Sequence, residues 1–502
     1  MTIHTLIDEL KQMLDKLFSI CSSHSMPEVL ECCLLGQQEL SAPLKIAIVG
    51  TTSVGKSTLL NALVKRDIVP TGAETLTYNV NVLRHVSRSP NKQEVLIAHL
   101  KNGLFKEYPI SFMSTLVDGR DDKTIELRES ILWVEAYLDF DYLKDIDLID
   151  TPGLLSTKGN DSDNTIDLFN DDMRKPDVFV YLMQRAVQKT DIEAVTAFQQ
   201  SLTKNSRSKV SGLNTVAALT HCDYLCKGDF SMDFHSMGLD LLENNREQYA
   251  SFRSCFSKAF TLAAIYAESA YKMTDADFSV LQNLTKDLYD EILDDLYTRN
   301  DFINDQSVFG KYISSLEDRM SFVHRMEMTV IKYSVWWLKQ HPQADLARLK
   351  EQLIRLSGVP DMDNYLFSNF KRLAVYFKAV KLVSNIRKSI ENVSSKYLED
   401  DIRDAYQNAL ITCRTFEVKL LNAFSFLTVL VDYYNHSSYF NEKQWSNALR
   451  DIDECMSASP NTAYLIGQLS YWEKERLYFR MISEIEAQES CNIITSQIQA
   501  LL

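Results

Sequence analysis

The sequence predicts an α/β phosphate-loop domain, with a mostly parallel sheet flanked by helices, joined to an all-α helical bundle or stalk built from both termini. Three observations predict it. The stretch "IAIVGTTSVGKSTLLNAL", residues 46 to 63, sets a glycine-bearing turn between an apolar run and a helical pattern. Short apolar runs then alternate with helical or loop stretches as far as about residue 265. Both ends of the chain carry helical periodicity instead.

Composition narrows the class. A chain of 502 residues exceeds what one hydrophobic core usually serves, so two or three domains are expected. Hydrophobic content of 45% with 24% charged residues is globular, and the small numbers of Gly (14) and Pro (10) favour long helices. The net charge of −15 argues against attraction of the whole surface to nucleic acid, which is excluded as a partner, or to anionic lipid. Cysteines 21, 32, 33, 222, 226, 255, 413, 455 and 491 follow no disulfide or zinc spacing and read as free thiols of a reducing compartment, with Cys222 and Cys226 structural. The start, "MTIHTLIDELKQMLDKLF", is acidic where an export signal needs basic residues. The longest apolar run, "LLNAFSFLTVLV" (420 to 431), is well short of the roughly 20 residues that span a bilayer. A cytoplasmic protein is expected, peripheral on the inner face of the plasma membrane if it acts on lipid.

The elements follow in order. Leu6, Leu10, Met13, Leu14, Leu17, Phe18 and Cys21 form one helical stripe that needs a partner. Strands are expected at "LKIAIV", "YNVNVLRHV", "EVLIAHL", "LWVEAYL", "IDLID", "DVFVYLM" and "TVAALT". Residues 270 to 355 are helical in pattern, and a Gly-Val-Pro break at 358 to 360 precedes another helix. From about 371 the periodicity predicts a single helix reaching about 430, on the order of 80 Å long. The break "DYYNHSSYF" (432 to 440) precedes helices at 441 to 456 and 461 to 489, the latter with Leu465, Leu469, Trp472, Phe479 and Ile482 on one face. The expected domains are 1–43, helices joining the stalk; 44–375, the nucleotide domain with helical additions after about 270; and 376–502, the bundle, with its tip near 426–440.

Three motifs carry chemistry. Gly50, Gly55, Lys56 and Ser57 fit GxxxxGK[ST]: the loop from Gly50 through Thr51, Thr52, Ser53 and Val54 turns N–H groups toward phosphate, Lys56 supplies a point charge, and the Ser57 hydroxyl can ligate Mg²⁺. In "LIDTPG", Asp150 can hold the hydration waters of magnesium and the Gly153 N–H can sense the γ-phosphate. In "VAALTHCD", the residues Thr220, His221 and Asp223 end a strand. A carboxylate there accepts from both guanine N1–H and N2–H, so GTP is preferred over ATP.

With "GTTSVGKSTLLNAL", "IVPTGAETLTYNVNVLRH", "DTPGLLS" and "THCD", supported by "FTLAAIYA" and "SGVPDMDNYL", the chain resembles the dynamin family of large GTPases, most closely its bacterial dynamin-like members. The resemblance covers roughly residues 44 to 375. It implies hydrolysis of GTP to GDP with Mg²⁺, aided by a monovalent cation, K⁺ or Na⁺. It also implies Ser53, Lys56 and Thr77 as catalytic residues, Thr58 near the α-phosphate, and Ser57 and Thr77 as magnesium ligands. The sequence departs from the family at His221, where lysine is usual; an imidazole can stack on guanine but braces the phosphate loop less well. Leu154 follows Gly153, so no glutamine orients water there, Thr52 stands where eukaryotic dynamins carry glutamine, and Ala263 replaces the usual serine of the last base-contacting segment, beside Ala264.

The family converts dimerisation of GTPase heads into stalk motion in membrane remodelling or tethering. By that resemblance this chain forms a homodimer or hetero-oligomer through its head, with a dynamin-like protein as a candidate partner. At the tip, Phe426, Leu427, Tyr433, Tyr434, Tyr439 and Phe440 are candidates for contact with lipid or a partner, with core packing as the alternative. The rival function is a GTP-dependent interaction switch that assembles without deforming membrane.

Overall fold

The computed structural model describes the chain apart from residues 1–2, 25, 52, 70–79, 118–125, 128, 152–175, 185–214, 249–255, 257, 295, 368–370, 395–399, 424–428, 430–438 and 457–459. Among the described residues, nine strands form one sheet: β1 (Leu44–Gly50), β2 (Val80–His85), β3 (Val95–Leu100), β4 (Phe105–Tyr108), β5 (Ile131–Leu138), β6 (Ile146–Asp150), β7 (Val178–Gln184), β8 (Thr215–Thr220) and β9 (Lys258–Thr261). Their order is β4-β3-β5-β2-β6-β1-β7-β8-β9. The half from β6 to β9 is parallel throughout. β2 runs antiparallel to β6 but parallel to β5, and β3 and β4 add an antiparallel edge.

All seven apolar runs expected as strands pair in this sheet. β1, β6 and β8 are buried along their whole length, and read as largely apolar because a strand covered on both faces has no solvent side. β4 lacks that signal, since Phe105, Lys106 and Glu107 are exposed at the sheet edge. The mark it does carry is the Asn102-Gly103 turn, with Gly103 at φ 83°, the pattern of a tight hairpin.

Alternate residues of β1 feed different cores. Leu44, Ile46 and Ile48 join a core that continues into the bundle through Leu14, Ala379, Ile386 and Ala409. Ala47 and Val49 join a second core with Tyr266, Phe302, Phe322, Val330 and Leu353, so the helices between 264 and 356 cover the opposite face.

The stripe on helix Ile3–Ser23 finds its partner in helix Asp400–Ala423, and Leu10, Leu14, Leu17 and Cys21 are almost fully buried. Helix Pro27–Ser41 packs on helix Lys371–Ser394, closely enough that a Cβ on Gly36 would lie 1.8 Å from Leu382 Cδ1. A larger residue there would require the Leu382 side chain to move. The bundle is fixed to the sheet by Lys378, itself 4% exposed. Its ammonium donates to the carbonyls of Ala42 (2.7 Å) and Pro43 (3.2 Å) and lies 3.8 Å from the Asp177 carboxylate. Asp177 in turn accepts from the Lys45 N–H at 2.9 Å.

Two helix expectations are corrected. The single helix from 371 to about 430 is two helices, Lys371–Ser394 and Asp400–Ala423, packed side by side. Their apolar stripes face each other and the N-terminal helices, and periodicity alone cannot tell one long stripe from two facing ones. The helix expected at 461 to 489 ends at Met481, and Ile485–Leu501 packs back on Thr462–Met481. The reversal uses Ser483 at φ 62°, a left-handed position that no glycine announces. Ile482, expected on the buried face, is therefore exposed in the turn.

Phe440, a candidate for contact with lipid or a partner with core packing as the alternative, belongs to the core: it is 5% exposed and packs against Trp445, Trp472 and Phe479. Beside it, half-buried Tyr439 places its hydroxyl 2.9 Å from Ser490 Oγ. In the same unit the buried Asp451 carboxylate accepts from Trp472 Nε1 at 2.7 Å and from the Tyr464 hydroxyl. Phe426, Leu427, Tyr433 and Tyr434 lie outside the described residues. Among the described residues no helix is long and apolar enough to cross a membrane, and the eight described cysteines are free.

Candidate nucleotide-binding site

β1, paired in parallel with β6 and β7, delivers the glycine-bearing turn at its C-terminal end, and helix Lys56–Val64 leaves it. Gly50 adopts φ 156°, and a Cβ there would lie 2.8 Å from Leu182 O and 2.9 Å from Val54 Cγ1, so the turn closes only around glycine. Ser53 (φ 61°) and Gly55 (φ 93°) complete the curl. Such successive turns direct backbone N–H groups into one concavity, which favours an anion.

Lys56 lies inside that curl. Its ammonium donates to the carbonyls of Thr51 (2.9 Å) and Gly50 (3.3 Å). Burial lowers its pKa below the ordinary lysine value, and the neighbouring Asp150 charge opposes that shift. Asp150 is fully buried at the end of β6, with Asn81 Nδ2 3.4 Å from its carboxylate, and the Thr151 hydroxyl donates to Ile48 O at 3.0 Å. Ser57 and Thr58 occupy the first turn of the helix, both half-buried. The sequence motif and the β6 motif are thus brought together around one amino group.

The third motif joins them through Thr220, whose hydroxyl lies 2.8 Å from Val54 O and 3.0 Å from Met183 O. His221 follows in a left-handed conformation, φ 57°, that turns its ring over the loop: a Cβ on Gly55 would be 3.7 Å from His221 Nε2. The imidazole therefore occupies the space above the phosphate loop. Asp223 is buried in the short helix Cys222–Cys226, and the Thr329 hydroxyl lies 3.3 Å from its Oδ2. Ala263 is buried and its N–H is committed to Ser357 O at 2.9 Å, while Ala264 begins the next helix. Thr52, Thr77, Gly153 and Leu154 lie outside the described residues.

A network that the motif search missed holds the far end of the phosphate-loop helix. Asn61 Nδ2 donates to Glu268 (2.8 Å) and Val69 O (2.8 Å), and its Oδ1 accepts from the Ile68 and Val69 N–H groups. Lys272 pairs with Glu268 at 2.9 Å and Asp67 at 3.1 Å. Burial raises the Glu268 pKa, and Lys272 and Asn61 oppose the rise. The segment 66–69, which leads toward Thr77, is thereby tied to the helix that follows Ala263. The signal in the sequence is a polar residue, Asn61, inside the apolar run "LLNAL".

Residues 46–217 match the model of the dynamin family. Isoniazid-induced protein IniC of Mycobacterium tuberculosis is 33% identical over 156 residues, 30% of each chain. Dynamin-like protein 2 of Campylobacter jejuni is 28% identical over 167 residues, 33% of this chain and 25% of that one. The matches thus span less than a third of the length of these curated relatives. A solved structure described as an oligomerised bacterial dynamin pair, reported as a mechanism for long-range sensing and tethering of membranes, overlaps 99% of this chain and 72% of its own, at 14% identity and a TM-score of 0.36. Residues 46–217, from β1 through the glycine-bearing loop into β8, are the part of the chain that is similar to the dynamin family.

Proposed function

We propose that the protein is a dynamin-like GTPase that binds and hydrolyses GTP, dimerises through its head, and uses turnover to move the helical bundle in membrane tethering or remodelling. The observation that carries the reading is the Thr220 hydroxyl on Val54 O, which joins the strand end bearing Asp223 to the loop holding Lys56. One site then combines a triphosphate cradle with a guanine-reading carboxylate. Lys56 neutralises the β- and γ-phosphates, Ser53 and Thr77 assist attack by water, and Asp223 accepts from N1–H and N2–H of the base. The donor set suits Mg²⁺ held by few protein oxygens and by substrate phosphates, namely the Ser57 hydroxyl with Asp150 acting through water. K⁺ or Na⁺ belongs to the same reading as an accessory charge.

Burial of Phe440 and the net charge of −15 favour a second reading, a GTP-dependent switch that assembles with another copy or a dynamin-like partner without deforming lipid. Turnover measured across protein concentrations, with and without anionic liposomes and with ATP as the control, separates the two. Turnover per molecule that rises with both concentration and lipid supports the membrane-acting GTPase; a rise with concentration alone supports the switch. Absence of GTP-selective turnover, or full activity in Lys56→Ala, overturns both.

A further inference from the structure

A hydroxyl reaches the Asp223 carboxylate from a distant part of the chain. Thr329 lies 106 residues beyond Asp223, in the first turn of helix Met328–Gln340, and its Oγ1 donates to Asp223 Oδ2 at 3.3 Å. Behind it the Tyr266 hydroxyl is 3.4 Å from Thr329 Oγ1. Tyr266 is fully buried between Phe234, stacked at 6.2 Å, and Tyr333, edge-on at 5.4 Å, so the phenol is held in place. Burial, and after it the Asp223 charge, push the Tyr266 pKa up, which keeps the phenol protonated and able to donate.

The backbone before Thr329 is itself unusual. Glu327 separates helix Leu316–Met326 from helix Met328–Gln340 with φ 41° and ψ 149°, a region that residues with a Cβ rarely enter. The kink leaves no linker between the two helices and sets the Thr329 turn against the base motif. Arg299 Nη1 holds the kink through the Glu327 carboxylate, at 3.3 and 3.4 Å. The strained junction and the Tyr266–Thr329–Asp223 chain are separate observations that meet at one carboxylate.

From these we infer that Thr329 is a specificity-determining positioning residue for the guanine base. It fixes the Asp223 carboxylate so that both oxygens face the base. Each carboxylate oxygen has two lone-pair sites, so Oδ2 can accept from Thr329 and from a guanine N–H together. The inference rests on the assignment of Asp223 to the base pocket made above.

The helices between 275 and 356 then contribute to nucleotide choice as well as to the core. Guanine offers N1–H and N2–H to a carboxylate, while hypoxanthine offers N1–H alone. The preference for GTP over ITP therefore reads how well the carboxylate is aimed.

The test is equilibrium binding of GTP and ITP, with Mg²⁺, to the full chain and to Thr329→Val, Thr329→Ser and Asp223→Asn. Valine keeps the shape and removes the hydroxyl. It is expected to weaken GTP binding by about fivefold to tenfold while ITP binding changes by less than about twofold, and serine should restore the preference. Equal losses for both nucleotides that serine does not rescue would make Thr329 a packing residue and overturn the inference. Unchanged affinities in Thr329→Val would overturn it too. The assignment of Asp223 fails separately, through Asp223→Asn that keeps the parental preference for GTP over ITP; loss of that preference, with Thr329→Val unaffected, sinks the inference alone. Thermal melting of each variant shows that the comparison is made between folded proteins.

Discussion

Thr220 and Val54 are 166 residues apart in sequence, yet Thr220 Oγ1 lies 2.8 Å from Val54 O. That contact ties the base motif directly to the phosphate loop, whereas along the sheet β8 is joined to β1 through β7.

Thr220→Val keeps the shape and removes the hydroxyl. The single hydroxyl proton available to Val54 O and Met183 O is lost. The expected cost is about 1 to 2 kcal/mol of stability, with GTP affinity falling severalfold as the loop loosens. Thermal unfolding and nucleotide titration check it; a variant matching the parent in both would show that the contact does not organise the loop.

His221→Lys should tighten GTP binding. The imidazole already lies over Gly55, and a lysine from the same left-handed position brings an ammonium to the phosphate side while its stem covers the base. His221→Ala should weaken binding relative to the parent. The reverse ranking in a titration would mean that the histidine is preferred for its own chemistry.

The Lys56 pKa lies below its unfolded value because the ammonium is buried, so the nucleotide-free native state releases this proton before the unfolded chain does. The unfolded state then binds more protons, and stability rises with pH in the window beneath the ordinary lysine value of about 10.4. Lys56→Met removes that rise. Melting temperatures of the nucleotide-free parent and variant, followed upward from pH 8, should converge as the pH increases; parallel curves contradict the assignment.

Asp451→Ala should destabilise the C-terminal helices by about 2 to 3 kcal/mol, since the Trp472 N–H and the Tyr464 hydroxyl lose their acceptor. Nucleotide affinity should not change, because the site lies in another part of the chain. Helical circular dichroism on heating, beside a GTP titration, reads both.

What was legible in the sequence follows the range of the interaction that fixes each feature. The buried strands were legible because covering both faces of a strand demands a largely apolar run. The phosphate loop was legible because its geometry is set by neighbours in the chain, Gly50 to Ser57. The reversal at Ser483 and the pairing of 371–394 with 400–423 were not, since a helical stripe records that a face is buried but not against what. Phe440 read equally as surface or core until Trp445, Trp472 and Phe479 were seen around it. Thr329 left no local trace at all: its position matters only because the Glu327 kink carries it to a carboxylate 106 residues earlier.

The Lys378 contact has a mechanical consequence. It grips the chain at Ala42 and Pro43, immediately before β1, while the other end of β1 becomes the phosphate loop. A strand of that length is about 20 Å long, and a tilt of about 5° at its base carries its far end by about 2 Å. β1, held between β6 and β7, therefore connects the Lys378 contact at one end to the glycine-bearing loop at the other. Displacements of that size are enough to misalign reacting groups. On the proposed function, a force on the helical bundle would reach the loop through this one strand.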